Sequence, residues 1–144
     1  MNQNFNKDKQ DEINEVIENF HSVISKILKM VDSKIPGDIE VDRLKRLVRM
    51  ARDEAPLIII TKCKQKIWDS REQILARDEN YFLKKKFGEY IKKDKNQMFI
   101  EGLIDLVKRG YNMVSDKEKD YIWNLNKQLL EYVIRYKMLT GDHE

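Results

Sequence analysis

Apolar residues recur along this chain at helical spacing, and the pattern is densest at its two ends. Near the C-terminus, Ile122, Leu125, Leu129, Tyr132, Tyr136 and Leu139 follow alternating steps of three and four. Such steps hold side chains on one side of a helix with 3.6 residues per turn. Tyr121, Leu130 and Val133 widen that stripe to the breadth of a bundle core. Ser115 and Glu118 form an S-x-x-E capping box at its start, Asp116 adds favourable charge to the first turn, and Gly141 supplies a stop. The pattern predicts a helix over 116–140, roughly 37 Å long. Near the N-terminus, Ile13, Ile17, Phe20, Ile24, Ile27 and Val31 repeat the same steps, with Val16, Val23 and Leu28 beside them. A second long helix is therefore predicted from Asp8 or Asp11 to about Ser33. Its spacing permits a coiled coil between chains, but a stripe this broad favours packing within one chain.

Shorter segments lie between these helices. Ile35-Pro36-Gly37-Asp38 is the strongest break, and Asp38 or Asp42 can cap the helix that follows. That helix turns Val41, Leu44, Leu47, Val48 and Ala51 inward and Arg43, Lys45, Arg46, Arg49 and Arg52 outward. Asp53-Glu54-Ala55-Pro56 reads as a turn with proline at the first position of a new helix. The aliphatic run over 57–60 fits a buried strand or a buried helix start. Helix is preferred, because Ile60, Cys63, Ile67 and Ile74 continue at helical spacing and no partner strand is evident. A turn near 78–80 precedes a short helix over 80–93, which packs Phe82, Phe87, Tyr90 and Ile91. A further helix from about Phe99 to Val114 follows a second capping box, Asp94 with Gln97. Gly102 and Gly110 weaken it by about 1 kcal/mol each relative to alanine. They either permit a close helix approach or are merely tolerated. The expected core comprises Ile17, Phe20, Ile24, Ile67, Trp68, Leu103, Val107, Ile122, Trp123, Leu129 and Val133.

The fold class expected is all-α: a single-domain bundle of five or six helices, the first and last longest. Residues 1–7 form a flexible N-terminus, 8–140 the bundle and 141–144 a tail. A chain of 144 residues can bury a substantial core. The lone cysteine, Cys63, rules out an internal disulfide and suits a reducing compartment. No apolar run nears the roughly 20 residues that span a bilayer, and Met1 to Gln10 is polar without a signal-peptide core. These features point to a cytoplasmic protein.

Charge changes the picture more than composition does. Residues 1–42 carry 5 basic and 9 acidic side chains, whereas 43–95 carry 16 basic and 8 acidic. Arg43, Arg46, Arg49 and Arg52, three apart, trace a drifting stripe on one helix, and Lys62, Lys64, Lys66, Lys84, Lys85 and Lys86 can extend it in space. Such a stripe suits phosphates. It equally suits a protein partner, or a solvated face paired with the acidic first helix. No recognition-helix or base-stacking motif decides between them.

Several segments of the C-terminal half resemble a known group of proteins. They are Asp78-Glu79-Asn80-Tyr81-Phe82-Leu83, Tyr90-Ile91-Lys92-Lys93-Asp94, Ser115-Asp116-Lys117-Glu118-Lys119-Asp120-Tyr121-Ile122-Trp123 and Leu129-Leu130-Glu131-Tyr132. With the Lys-, Asn- and Ile-rich composition, they resemble small helical proteins of large nucleocytoplasmic (giant) DNA viruses. The resemblance implies work in the host cytoplasm or in a virion, and it supplies no active site.

Catalytic chemistry is thinly represented. Glu18 and His21 have the E-x-x-H spacing of di-iron helical proteins, but that chemistry needs a second such pair and two more glutamates. The other histidine, His143, follows Thr140 rather than a glutamate. His21 is therefore expected at a helix flank. One cysteine and two histidines do not approach a zinc set. Lys62 and Lys64 can favour a Cys63 thiolate, yet its place on an inward stripe makes it a small buried hydrophobe. No nucleophile elbow, P-loop or dinucleotide loop occurs.

The expected function is a non-enzymatic helical interaction protein: a viral structural or accessory component that self-associates or binds another viral protein. The alternative is a nucleic-acid-binding module using the basic residues 43–95. Contact residues in either case are Arg43, Arg46, Arg49, Arg52, Lys84, Lys85 and Lys86. No cofactor, metal or small-molecule substrate is inferred.

Overall fold

The computed structural model describes residues 2–84 and 108–141. Its elements are α1 (Asn2–Lys34), α2 (Ile39–Glu54), α3 (Leu57–Asp69), α4 (Arg71–Leu75), α5 (Glu79–Lys84) and α6 (Asp116–Thr140), with a helical turn at 108–111 before α6. The architecture is all-helical, there is no strand among the described residues, and the first and last helices are the longest.

Helix α6 forms where its end signals place it. Ser115 Oγ accepts from the Glu118 N–H at 3.2 Å, and the Glu118 carboxylate accepts from the Ser115 N–H at 2.9 Å. Gly141 closes the helix in the left-handed region at φ 76°, where a side chain would be strained. Glu118 also pairs with Lys34 at 2.9 Å. The Ser115 amide and then Lys34 push the Glu118 carboxyl down to about 2. Ser115→Ala removes one half of the box and is expected to cost about 1 kcal/mol of stability in urea unfolding. A loss below a few tenths would mean that water caps this end equally well.

The Lys34–Glu118 pair joins the end of α1 to the start of α6, and the two helices pack along their length, so they run antiparallel. With 33 residues in α1 and 25 in α6, the first two turns of α1 project past the end of α6. Residues 7–12 are exposed. The seam buries Val16, Phe20, Val23, Ile24, Ile27 and Val31 of α1 against Leu125, Leu129, Val133 and Tyr136 of α6. Helices α2 and α3 cover it with Val41, Leu44, Val48, Ile59, Ile60 and Cys63. A smaller cluster of Tyr111, Val114, Ile122 and Trp123 lies under Phe82 and Leu83.

Local chemistry sets the turns between helices. Asp38 caps α2, accepting from the amides of Glu40 and Val41 at 2.9 and 3.2 Å. Arg109 then bridges Asp38 and Glu40, both at 3.0 Å, and holds the Asp38 carboxyl below the usual carboxylate range. Ser70 breaks the long apolar pattern after α3, and Arg71 folds back to donate to the Trp68 carbonyl at 3.0 Å. Arg77 ends α4 in the left-handed region at φ 53° and pairs with Asp120 of α6. The Asp78 side chain then accepts from the Tyr81 amide at 3.1 Å and starts α5. Gly110 sits where helices meet: a Cβ there would lie 3.3 Å from the Val31 side chain, so this glycine serves a close approach.

Six expectations need correction, the first being that Tyr121, expected to widen the inward stripe of α6, is 41% exposed at its margin. The described residues hold seven helical segments, counting the turn at 108–111, against the five or six expected, because Ser70 divides one predicted helix into α3 and α4. Helix α1 starts at Asn2, not Asp8 or Asp11, because its polar N-terminal turns lie on the segment that outruns its partner. Leu47 is 42% exposed, since it sits at the margin of the α2 stripe rather than within it. Ile67 and Trp68 are half-buried rather than core. His21 is not on a flank: it is 1% exposed. The run over 57–60 is helical, as preferred. Leu103, Val107 and most of the segments predicted over 80–93 and 99–114 lie outside the described residues.

Candidate functional site

Helix α2 carries the arginine stripe, and its geometry divides that stripe. Three residues advance a helix by about 300°, so each arginine is displaced by roughly 60° from the one before. Arg43, Arg46 and Arg49 remain on the outer side and are exposed. By Arg52 the drift has reached the α1 side, where its guanidinium pairs with Glu18. Lys45 also reaches α1 and binds Asp32 at 3.1 Å. The acidic first helix thus neutralises the inner margin of α2 and leaves the outer arginines to solvent. Lys84 ends α5. Lys85 and Lys86 lie outside the described residues, so the structure does not join the lysine run to this face.

The outer face of α2 is not purely basic. Ile39 is 81% exposed and Met50 55%. Residues 39, 43, 46, 47 and 50 follow helical spacing, which places Ile39, Arg43, Arg46, Leu47 and Met50 side by side. This second stripe runs opposite the one formed by Val41, Leu44 and Val48. Sequence reading assigned Leu47 to the core and passed over Ile39 and Met50. The signal available was a second set of steps of four and three, offset from the first by more than a quarter turn.

Elsewhere the polar groups that converge are structural. Trp123 Nε1 donates to the Tyr111 hydroxyl at 3.0 Å, and that hydroxyl donates to Glu79. Burial first, and then the Glu79 carboxylate, raise the Tyr111 phenol above its ordinary range. The chain of bonds ties α5, the turn at 108–111 and α6 together. Two cations approach the Trp68 ring, Arg71 at 4.3 Å and Lys137 at 4.8 Å from its centre. Neither network follows from a sequence motif.

Candidate reactive groups are quiet. Burial pushes the Cys63 thiol up to about 12, which removes the thiolate at neutral pH whatever Lys62 and Lys64 contribute. His21 Nε2 is buried with no hydrogen-bond partner, and burial and then the Arg52 charge lower its pKa. The Pro56 carbonyl and Glu18 act in the opposite direction. Among the described residues, no three His, Cys, Asp or Glu side chains gather as metal ligands. No described helix is long and apolar enough to cross a membrane.

No family model, curated protein or solved structure matches the chain.

Proposed function

We propose that this is a non-enzymatic helical interaction protein that docks an acidic protein surface on the outer face of α2. The observation that carries the reading is the exposed row of Ile39, Arg43, Arg46, Leu47 and Met50. Apolar side chains there supply area, and arginines supply orientation and long-range attraction. The N-terminal part of α1 offers a complementary surface within the same chain, since Asp8, Asp11, Glu12 and Glu15 are all exposed and outnumber Lys7 and Lys9 beside them. A second copy therefore fits the partner chemistry, as does another protein with an acidic helix. The resemblance to giant-virus proteins makes the setting a viral structural or accessory role, in host cytoplasm or virion. The raised Cys63 thiol and the use of Tyr111 and Glu79 as a structural tie support a role without catalysis.

Sedimentation velocity over a wide concentration range, with co-purification from infected cells, tests this reading. Self-association or capture of one viral partner is expected. Reversing Arg43, Arg46 and Arg49 to Glu is expected to weaken it by about tenfold or more. Reversing Glu12 and Glu15 to Lys in the same chain is then expected to restore self-association. A strict monomer at high concentration that captures no partner overturns the proposal.

The exposed arginines also favour a second reading, phosphate binding on nucleic acid. It requires affinity that falls steeply with salt, with a log–log slope of about −0.9 per phosphate contacted on duplex DNA. Anisotropy titrations at two salt concentrations, with wild type and the triple reversal, separate the readings. Binding that is absent at low salt, or unchanged by the reversal, eliminates nucleic acid on this face.

A further inference from the structure

A cavity of about 160 Å³ lies where α1, α3, α4, α5 and α6 converge. Its wall is almost wholly hydrocarbon: Ile24 and Ile27 from α1, Ile67 from α3, Ile74 from α4, and Ile122 and Trp123 from α6. We propose that this cavity is a binding site for a compact, uncharged apolar molecule, either a single aromatic ring or a short aliphatic chain.

Size is the first argument. A void of about 150 Å³ lined by aliphatic and aromatic side chains stays dry and admits benzene. This one is as large and its surface is similarly apolar, although it opens to solvent on one side and Lys66, Lys108 and Asn126 also stand on its wall. Satisfied polarity is the second. An ordered water needs two to four polar partners. The Tyr111 hydroxyl and the Trp123 N–H, both on the cavity wall, are already bonded to each other, and that hydroxyl also donates to Glu79. Ser70 Oγ lies 3.4 Å from the Tyr81 hydroxyl. These groups therefore offer little to an ordered water, and the largely apolar surface favours a hydrocarbon occupant. Rigidity is the third. Trp123 is fixed at its N–H and packs edge-on against Phe82 with ring centres 5.6 Å apart. Aromatic rings held in this way resist the collapse that closes cavities lined by mobile side chains. The site is independent of the outer face of α2 and can fail or stand without it.

The wall itself supplies the reporters. Isoleucine δ1-methyl labels at Ile24, Ile27, Ile67, Ile74 and Ile122 surround the cavity, whereas Ile58 and Ile134 are exposed and serve as controls. Toluene and 1-hexanol are the probes. The cavity methyls are expected to shift and saturate with a Kd of roughly 0.1–1 mM, while Ile58 and Ile134 stay put. The melting temperature is expected to rise by about 3–5 °C at tenfold excess over Kd. Cys63→Leu and Ile67→Phe each add volume at the wall. Each is expected to weaken binding at least tenfold while keeping the helical circular dichroism signal and an unliganded melting point no lower than wild type. No saturable shift at the cavity methyls of the wild-type protein, or shifts confined to the exposed isoleucines, overturns the proposal. So does undiminished binding in a folded cavity-filling variant. The wild-type titration decides the matter even where a variant does not fold.

Discussion

Phe20→Ala is expected to remove about 3–5 kcal/mol of folding stability. Phe20 has no exposed surface and lies in the α1–α6 seam, among the large cluster that also contains Ile24, Leu129 and Val133. Truncation there loses the transfer energy of the ring and leaves a void that two long helices, fixed at one end by Lys34 and Glu118, close poorly. Domains of this size are stable by only about 5–15 kcal/mol, so this single change removes a large fraction of the total. Phe20→Leu keeps much of the volume and is expected to cost far less, under about 1.5 kcal/mol. Ile134→Ala, at an exposed position of α6, is expected to fall within about 0.5 kcal/mol of wild type. Urea unfolding with linear extrapolation measures all three. A Phe20→Ala loss below about 1 kcal/mol would mean that the α1–α6 seam does not dominate the core.

The long helices were legible in the sequence because their signals are local and redundant. The α6 stripe, its capping box and Gly141 all specify one helix with the same ends, and the structure reproduces them. Asp38 behaves similarly, as a turn residue whose side chain meets the amides next to it. What escaped was what neighbouring elements decide. Nothing within α1 tells His21 that Arg52 and the Pro56 carbonyl will close over it. Leu47 and Val48 are adjacent and similar in hydrophobicity, yet the packing of α2 on α1 buries Val48 and leaves Leu47 half in solvent. Ser70 is a single polar residue within the helical spacing from Ile60 to Ile74, but the chain bends there, aided by the Arg71 bond to the Trp68 carbonyl. The candidate site was half legible. Charge counting found the arginines of α2, but only the drift of the stripe against α1 explains why Arg52 is tied down. The cavity and the Trp123–Tyr111–Glu79 tie join residues far apart in sequence, and no spacing rule encodes them.

Acid is expected to begin destabilising this protein as the pH falls below 6.5, and His21 is the first cause. Its folded pKa lies below the ordinary 6.5, chiefly through burial and then through the Arg52 charge. Glu18 and the Pro56 carbonyl oppose the shift without cancelling it. Between the depressed folded value and 6.5, the unfolded chain binds a proton at this position and the native chain does not. Stability therefore rises with pH through that window and is fully present above 6.5. It falls as the pH drops below 6.5 and stops falling, as far as His21 is concerned, once the pH is below the folded value. The slope from one such group cannot exceed about 1.4 kcal/mol per pH unit. Glu118, held down at about 2 by the Ser115 amide and Lys34, loses its contribution as the pH falls from the ordinary carboxylate value towards about 2. His21→Leu is expected to flatten the profile just below pH 6.5 and to leave the carboxylate-linked limb in place. Urea midpoints measured at half-unit steps of pH, for wild type and His21→Leu, give both curves. Parallel curves across that window would show that His21 is as easily protonated in the folded protein as in the unfolded chain.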